Sequence, residues 1–320
     1  MLPEIVVHAD WGTSPDKRWV VKATLTGGLY KIGDLESVAE LQKFVTWVYR
    51  ECADNKRIML GFDFPIGLPA EFAKKADIDS FRAELPKFGT GRWDKFFEVA
   101  QAPDQISIKR PFYPARPGRA KQKYLLDALG LDQINQLRRQ CDLPQLKRKA
   151  ACPLFWTLGA NQVGKGAIIG WRDLLQPLIR GLNDKVRIWP FDGSLHELLV
   201  SPGVVIVETY PAESYGHLGI ALGKEGKRSQ KVRQGAAPTM LQWAVNAGID
   251  IHLLKPMIVN GFGKSPDEED KFDAVVGLLG LLNVIMGYRS SGEPSDELVR
   301  MVEGWILGQT AYASPQLSLK

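Results

Sequence analysis

The stretch 4-EIVVHADWGTSPDKRWVVKATL-25 decides how this chain is read. Two apolar runs, "EIVVHA" and "WVVKATL", flank a polar turn. The first run ends on Asp10, and the turn passes through Gly12, Ser14 and Pro15 onto two cations, Lys17 and Arg18. Runs of this length bounded by Gly, Ser and Pro read as strands. Gly27-Gly28 is a hairpin signal, and "LYKIG" continues it as a short third strand. Asp34 then reads as the N-cap of a helix with Val38, Leu41, Val45 and Val48 at helical spacing. "RIMLGFDF" (57–64) is almost wholly apolar, the pattern of a strand covered on both faces. The first third of the chain is therefore β-hairpin, β, α, β.

Beyond "PIGLP" the alternation breaks. Residues 69–185 are rich in Pro, Arg and Lys and read as a mostly helical insertion ending in a helix near 167–181. Strand signals resume with "KVRIWPF" and "GVVIVETYPA", and helices are expected near 213–220, 228–247 and 268–287. A strand-like "GWILG" (304–308) follows. The expectation is one α/β domain, with its core in about 1–68 and 186–310.

Bulk properties narrow the class. With 320 residues, 45% of them hydrophobic and 24% charged, the chain can bury a large core. The longest apolar run, 274–287, is too short to cross a bilayer, and the N-terminus has no secretory signature. Three cysteines, an odd number without zinc spacing, suggest reduced thiols, a cytoplasmic location and no membrane partner. The net charge of +5 is uneven. Residues 101–185 hold 15 Lys and Arg against 6 Asp and Glu, or +9, which leaves −4 for the rest. Such a segment is either a solvated surface or a face for a polyanion such as nucleic acid. Its candidate phosphate contacts are Lys109, Arg110, Arg116, Lys147, Arg148 and Lys165, joined by Lys17 and Arg18 at the first turn. Lys17 and Arg18 also read as the solvated start of a strand, and that reading is the preferred one for these two.

Each strong strand ends in an acid: Asp10, Asp63 and Glu208. Ends of parallel strands gather on one edge, where open α/β sheets place ligands. Asp270 and Asp273 lie three apart at the start of the last helix and share one face. Carboxylates crowded on an edge are tolerated around a divalent cation, and oxygen-only donors suit Mg²⁺ or Mn²⁺, with two ions possible. Each acid also has an ordinary reading, as a turn cap or a helix-dipole partner.

The order of these elements and acids resembles the RNase H-like fold, a mixed five-stranded sheet flanked by helices, and within it the branch of RuvC-type Holliday-junction resolvases. "ADWGTSPDKRW", "GFDFPIGLP", "VETYPAE", "DKFDAVVGLL" and "EGWILG" are similar to the bacterial family of predicted RNase H-like nucleases (domain of unknown function four-two-nine). The resemblance covers roughly 4–70 and 186–310. It implies metal ligands at Asp10, Asp63 and Asp273, with Asp270 or Glu208 as a fourth. It further implies hydrolysis of phosphodiester bonds by an activated water and, as for resolvases, a possible homodimer.

Other motifs fall away. "GANQVGKG" (159–166) places Gly166 where a P-loop needs Ser or Thr, and "HELLV" (196–200) lacks the second His of a zinc motif. Two alternatives stay open. "DWGTS" looks like the first phosphate loop of actin and sugar-kinase-type ATP phosphotransferases, although no second glycine-rich loop follows. A non-catalytic nucleic-acid binder is the other.

Overall fold

The computed structural model describes residues 1–118, 120–145, 148–159 and 162–310. Six strands form one mixed sheet: β1 (Ile5–Trp11), β2 (Arg18–Thr26), β3 (Leu29–Ser37), β4 (Arg57–Phe62), β5 (Val186–Ile188) and β6 (Gly203–Glu208), in the order β3-β2-β1-β4-β6-β5. Only β2 runs against the others. The β2–β3 hairpin turns through Gly27 and Gly28, both at positive φ (60° and 84°). A two-residue turn with both central residues left-handed matches the twist of the strands it joins.

The sheet departs from the expected five strands. The three-residue β5 adds an edge beside β6, while "GWILG" contributes only an isolated bridge, Glu208 to Ile306. Asp34 is not a helix cap. It lies inside β3, whose pairing with β2 continues to Trp19 opposite Ser37, and the helix begins at Leu41. Long-range strand pairing here overrides a local capping signal.

Side-chain parity divides the core into two clusters. Ile5, Val7 and Ala9 of β1 share one face with Leu60 and Phe62 of β4 and Ile206 of β6. This face packs on the helix Leu41–Ala53 and on residues 72–179 of the insertion, which therefore shares its core with the sheet. Val6, Met59, Val205 and Val207 face the other way, onto the helices Pro211–His217 and Glu269–Ile285. The helix Glu269–Ile285 is apolar nearly all round because it lies between the sheet and Pro211–His217. Among the described residues no helix is long and apolar enough to cross a membrane.

The insertion is helical mainly at its two ends. Among the described residues between 86 and 162 it holds one short α-helix, Lys123–Leu129, with 3₁₀ turns and loops around it. Pro103, Pro111, Pro114, Pro117, Pro144 and Pro153 explain this, since each removes a backbone donor and restricts the residue before it.

Candidate acidic cleft

Register brings the first two acids together. Ala9 pairs with Phe62 in the parallel β1–β4 ladder, so Asp10 and Asp63 are adjacent at the next rung. The polar turn after Asp10 is held by Arg18, whose Nε donates to Gly12 O at 2.8 Å and whose Nη2 donates to Thr13 O at 3.1 Å. Trp11 N–H donates to Asp63 Oδ1 at 2.6 Å and fixes that carboxylate.

The long buried helix supplies the third acid. It approaches β1 closely because Gly277 faces His8: a Cβ at Gly277 would lie 2.1 Å from Cε1 of the imidazole. Gly61 of β4 likewise leaves room for Leu281 and Thr209. His8 is fully buried, with Nδ1 3.0 Å from Ala274 O and Nε2 2.9 Å from Thr209 Oγ1. Burial lowers its pKa to about 3, so it is neutral. Nδ1–H then donates to the carbonyl and Nε2 accepts the hydroxyl proton. His8 thus ties helix, β1 and β6 together directly beneath the acids. Asp273, at the start of this helix, reaches the same cleft.

The cleft measures about 520 Å³, and its polar lining includes Asp10, Asp63, Asp270, Asp273, Lys17 and Lys227. Part of the insertion, including Cys152, Gln162 and Gly166, forms the opposite wall. Asp10 is only 6% exposed, and its carboxyl group lies within hydrogen-bonding reach of Asp63. Burial first, then the negative charges of Asp63, Asp273 and Asp270, hold its pKa well above the usual range. Burial also raises Asp63 to about 6, against the opposing Trp11 N–H bond, and raises Asp270 to about 6. Asp273 is raised by burial, while Lys227 and Tyr215 oppose the shift.

Lys227 and Tyr215 were not singled out from the sequence. Tyr215 Oη donates to Asp273 Oδ1, and Lys227 Nζ donates to Oδ2. Lys227 sits in "GKEGKRSQ" (223–230), which reads as a polar glycine loop, so its approach to Asp273 has no local signature.

Glu208 is excluded from the cleft by parity. It pairs with Phe62, so its side chain points to the insertion face, opposite to Asp63. There Arg139 takes both its oxygens, Nη1 to Oε2 at 2.5 Å and Nη2 to Oε1 at 2.6 Å, and Ile66 N–H donates to Oε2 at 2.7 Å. Arg139 also binds both oxygens of Asp142, at 2.9 and 3.0 Å. Glu208 anchors the insertion to the sheet and does not join the acids of the cleft.

The expected phosphate-contacting cations disperse. Lys17 is exposed on the cleft rim, 3.2 Å from Asp267. Arg18 is buried, contrary to both readings made from sequence, because its guanidinium is consumed by the turn and stacks 5.5 Å from the Trp11 ring. Arg110 donates to Val99 O and lies 3.4 Å from Glu98. Arg148 lies 3.0 Å from Glu213 and donates to Leu143 O. Lys109 and Arg116 are exposed, Lys165 is half-buried, and none of these five lines the cleft. Lys147 lies outside the described residues. The charge excess of the insertion is thus partly spent on internal pairing.

The cleft offers carboxylate oxygens, the donor type that a hard divalent cation takes. It is not a closed cage, since among the described residues no three His, Cys, Asp or Glu side chains converge for an ion. Comparison of the chain with protein-family models, curated proteins and solved structures finds no match for it, and the chemistry of the cleft itself carries the functional reading.

Proposed function

We propose that this chain is a divalent-metal-dependent phosphodiesterase acting on nucleic acid, on an RNase H-like core. The carrying observation is the pair Asp10–Asp63, a buried and a half-buried carboxyl group side by side in the cleft and within hydrogen-bonding reach of each other. Like charges so placed call for a cation or a shared proton. The strand order supports the fold part of the reading: β3-β2-β1-β4-β6, with β2 alone reversed, is a five-stranded mixed core to which β5 is a short addition.

Asp10 and Asp63 are the residues that would hold Mg²⁺ or Mn²⁺, with Asp270 on the rim and Asp273 beside them. The ion, when bound, supplies positive charge against phosphate oxygens and lowers the pKa of water. The chain's own groups do the rest. Trp11 N–H orients Asp63, and Tyr215 orients Asp273. Lys227 adds a positive charge inside the cleft, and Lys17 offers one at its mouth to a phosphate backbone.

The test is Mn²⁺-dependent cleavage of a mixed panel of DNA, RNA, hybrid and junction substrates, by the native chain and by Asp10→Asn at equal purity. Cleavage that disappears with Asp10→Asn supports the reading. Equal cleavage by both, or none by either, overturns it.

A further inference from the structure

We propose that the acidic cleft receives one unpaired nucleic-acid strand and excludes a duplex. The inference rests on the reading of the cleft as a phosphodiesterase site and names the substrate class that its walls admit.

The acids lie deep between two walls. Asp10 and Asp273 are 6% and 5% exposed. A phosphodiester reaches them only by entering between the sheet edge and the insertion. The space there, about 520 Å³, falls within the roughly 300–1,000 Å³ of pockets that enclose a single small molecule. It suits one nucleotide unit of a strand. The insertion sets its width: Ala151, Cys152, Gln162, Val163 and Gly166 stand opposite the acids. The two walls also touch. Thr13 Oγ1, in the turn just past Asp10, donates to Gln162 Oε1 at 3.3 Å. Arg18 holds that turn through Gly12 O and Thr13 O, so it does not swing aside without breaking these bonds. A paired strand carries its complement with it, and the complement would meet the insertion wall. A lone strand can turn its bases aside and bring its backbone down to the acids.

The charges agree with this. Among the described residues the cations that line the cleft are Lys17 and Lys227, and neither belongs to the insertion. The five described insertion residues of the wall are uncharged, so a second phosphate backbone finds no counter-charge among them. The lining also offers a ring. Trp11 and Phe64 are buried, whereas Tyr210 is half-buried, with the Arg148 guanidinium 5.6 Å from its ring centroid. An unpaired base has a free face to stack on such a ring, and a base inside a duplex has none.

The test is cleavage in Mn²⁺, by the native chain, of a labelled strand alone, of the same strand annealed to its complement, and of that duplex with a mismatched run at its centre, each made as DNA and as RNA. The lone strand should be cut, and the mismatched duplex should be cut within its unpaired run. The full duplex should be cut more than about tenfold more slowly, because its target must first be unpaired. Ala151→Trp and Val163→Trp fill the cleft from the insertion wall. Each should slow cleavage of the lone strand while melting as cooperatively as the native chain. Equal or faster cleavage of the full duplex, or a native rate in either folded tryptophan variant, would overturn the proposal and leave the phosphodiesterase reading standing. Absence of cleavage of every substrate would overturn that reading together with it.

Discussion

Trp11 N–H donates to Asp63 Oδ1 at 2.6 Å, so the backbone just beyond Asp10 holds in place the carboxylate that repels it. This geometry crowds acidic groups together, so ionising them in the folded chain costs stability.

The first prediction concerns pH. Burial holds Asp63 and Asp270 up at about 6 in the folded chain, and burial with the neighbouring carboxylates raises Asp10 too, each above an unfolded value of about 4. The folded state therefore binds more protons than the unfolded state over that interval. Stability contributed by these groups is complete below about pH 4 and falls as pH rises through about 6. In EDTA, Asp10→Asn should be more stable than the native chain at about pH 8, with the gain shrinking toward about pH 5. Thermal melts across this range check it. A variant that is less stable at high pH would show that repulsion is not what perturbs Asp10.

The second concerns Arg139. Removing a buried cation leaves Glu208 and Asp142 uncompensated, so Arg139→Met should cost about 3–5 kcal/mol. Glu208→Gln should lose less and should leave Mn²⁺ affinity unchanged, because Glu208 faces away from the cleft. Denaturant unfolding and ion titration separate the two effects. Loss of ion binding in folded Glu208→Gln would return this residue to the site.

A third prediction uses glycine as a probe of helix approach. Gly277→Ala forces a methyl group into the His8 ring and should destabilise by about 1–3 kcal/mol. Gly235, within the helix Gln230–Asn246, has nothing within 4 Å of its would-be Cβ, and Gly235→Ala should stabilise by about 0.5–1 kcal/mol. Opposite signs from the same substitution, read in urea, are the expected outcome.

The fourth separates two neighbouring cations. Lys17 is exposed at the cleft mouth, so Lys17→Gln should lower nucleic-acid affinity across all sequences and reduce the salt slope by about 1. Arg18 is buried in the turn. Arg18→Gln should lower melting temperature and leave the salt slope unchanged. Fluorescence anisotropy at several salt concentrations measures both, and identical slopes for Lys17→Gln and the native chain would remove Lys17 from the interface.

The amino-acid sequence by itself determined the strands and the acids that end them. The apolar runs 57–62 and 203–208 have one stable environment, a sheet interior, and the turn residues around Asp10 and at Gly27-Gly28 set where strands stop. These are local properties, written in consecutive residues. Which face each acid takes is not local. Asp10 and Asp63 share a face while Glu208 points the other way, and a one-residue shift between parallel strands would have exchanged them. That register is set by packing between segments joined through long crossovers, which sequence periodicity does not report. The same holds for Asp34, drawn into β3 by its partner strand, for Arg18, withdrawn into the turn, and for Lys227, brought to Asp273 from a separate loop. Strand ends are decided by neighbours in the chain; the composition of the cleft is decided by neighbours in space.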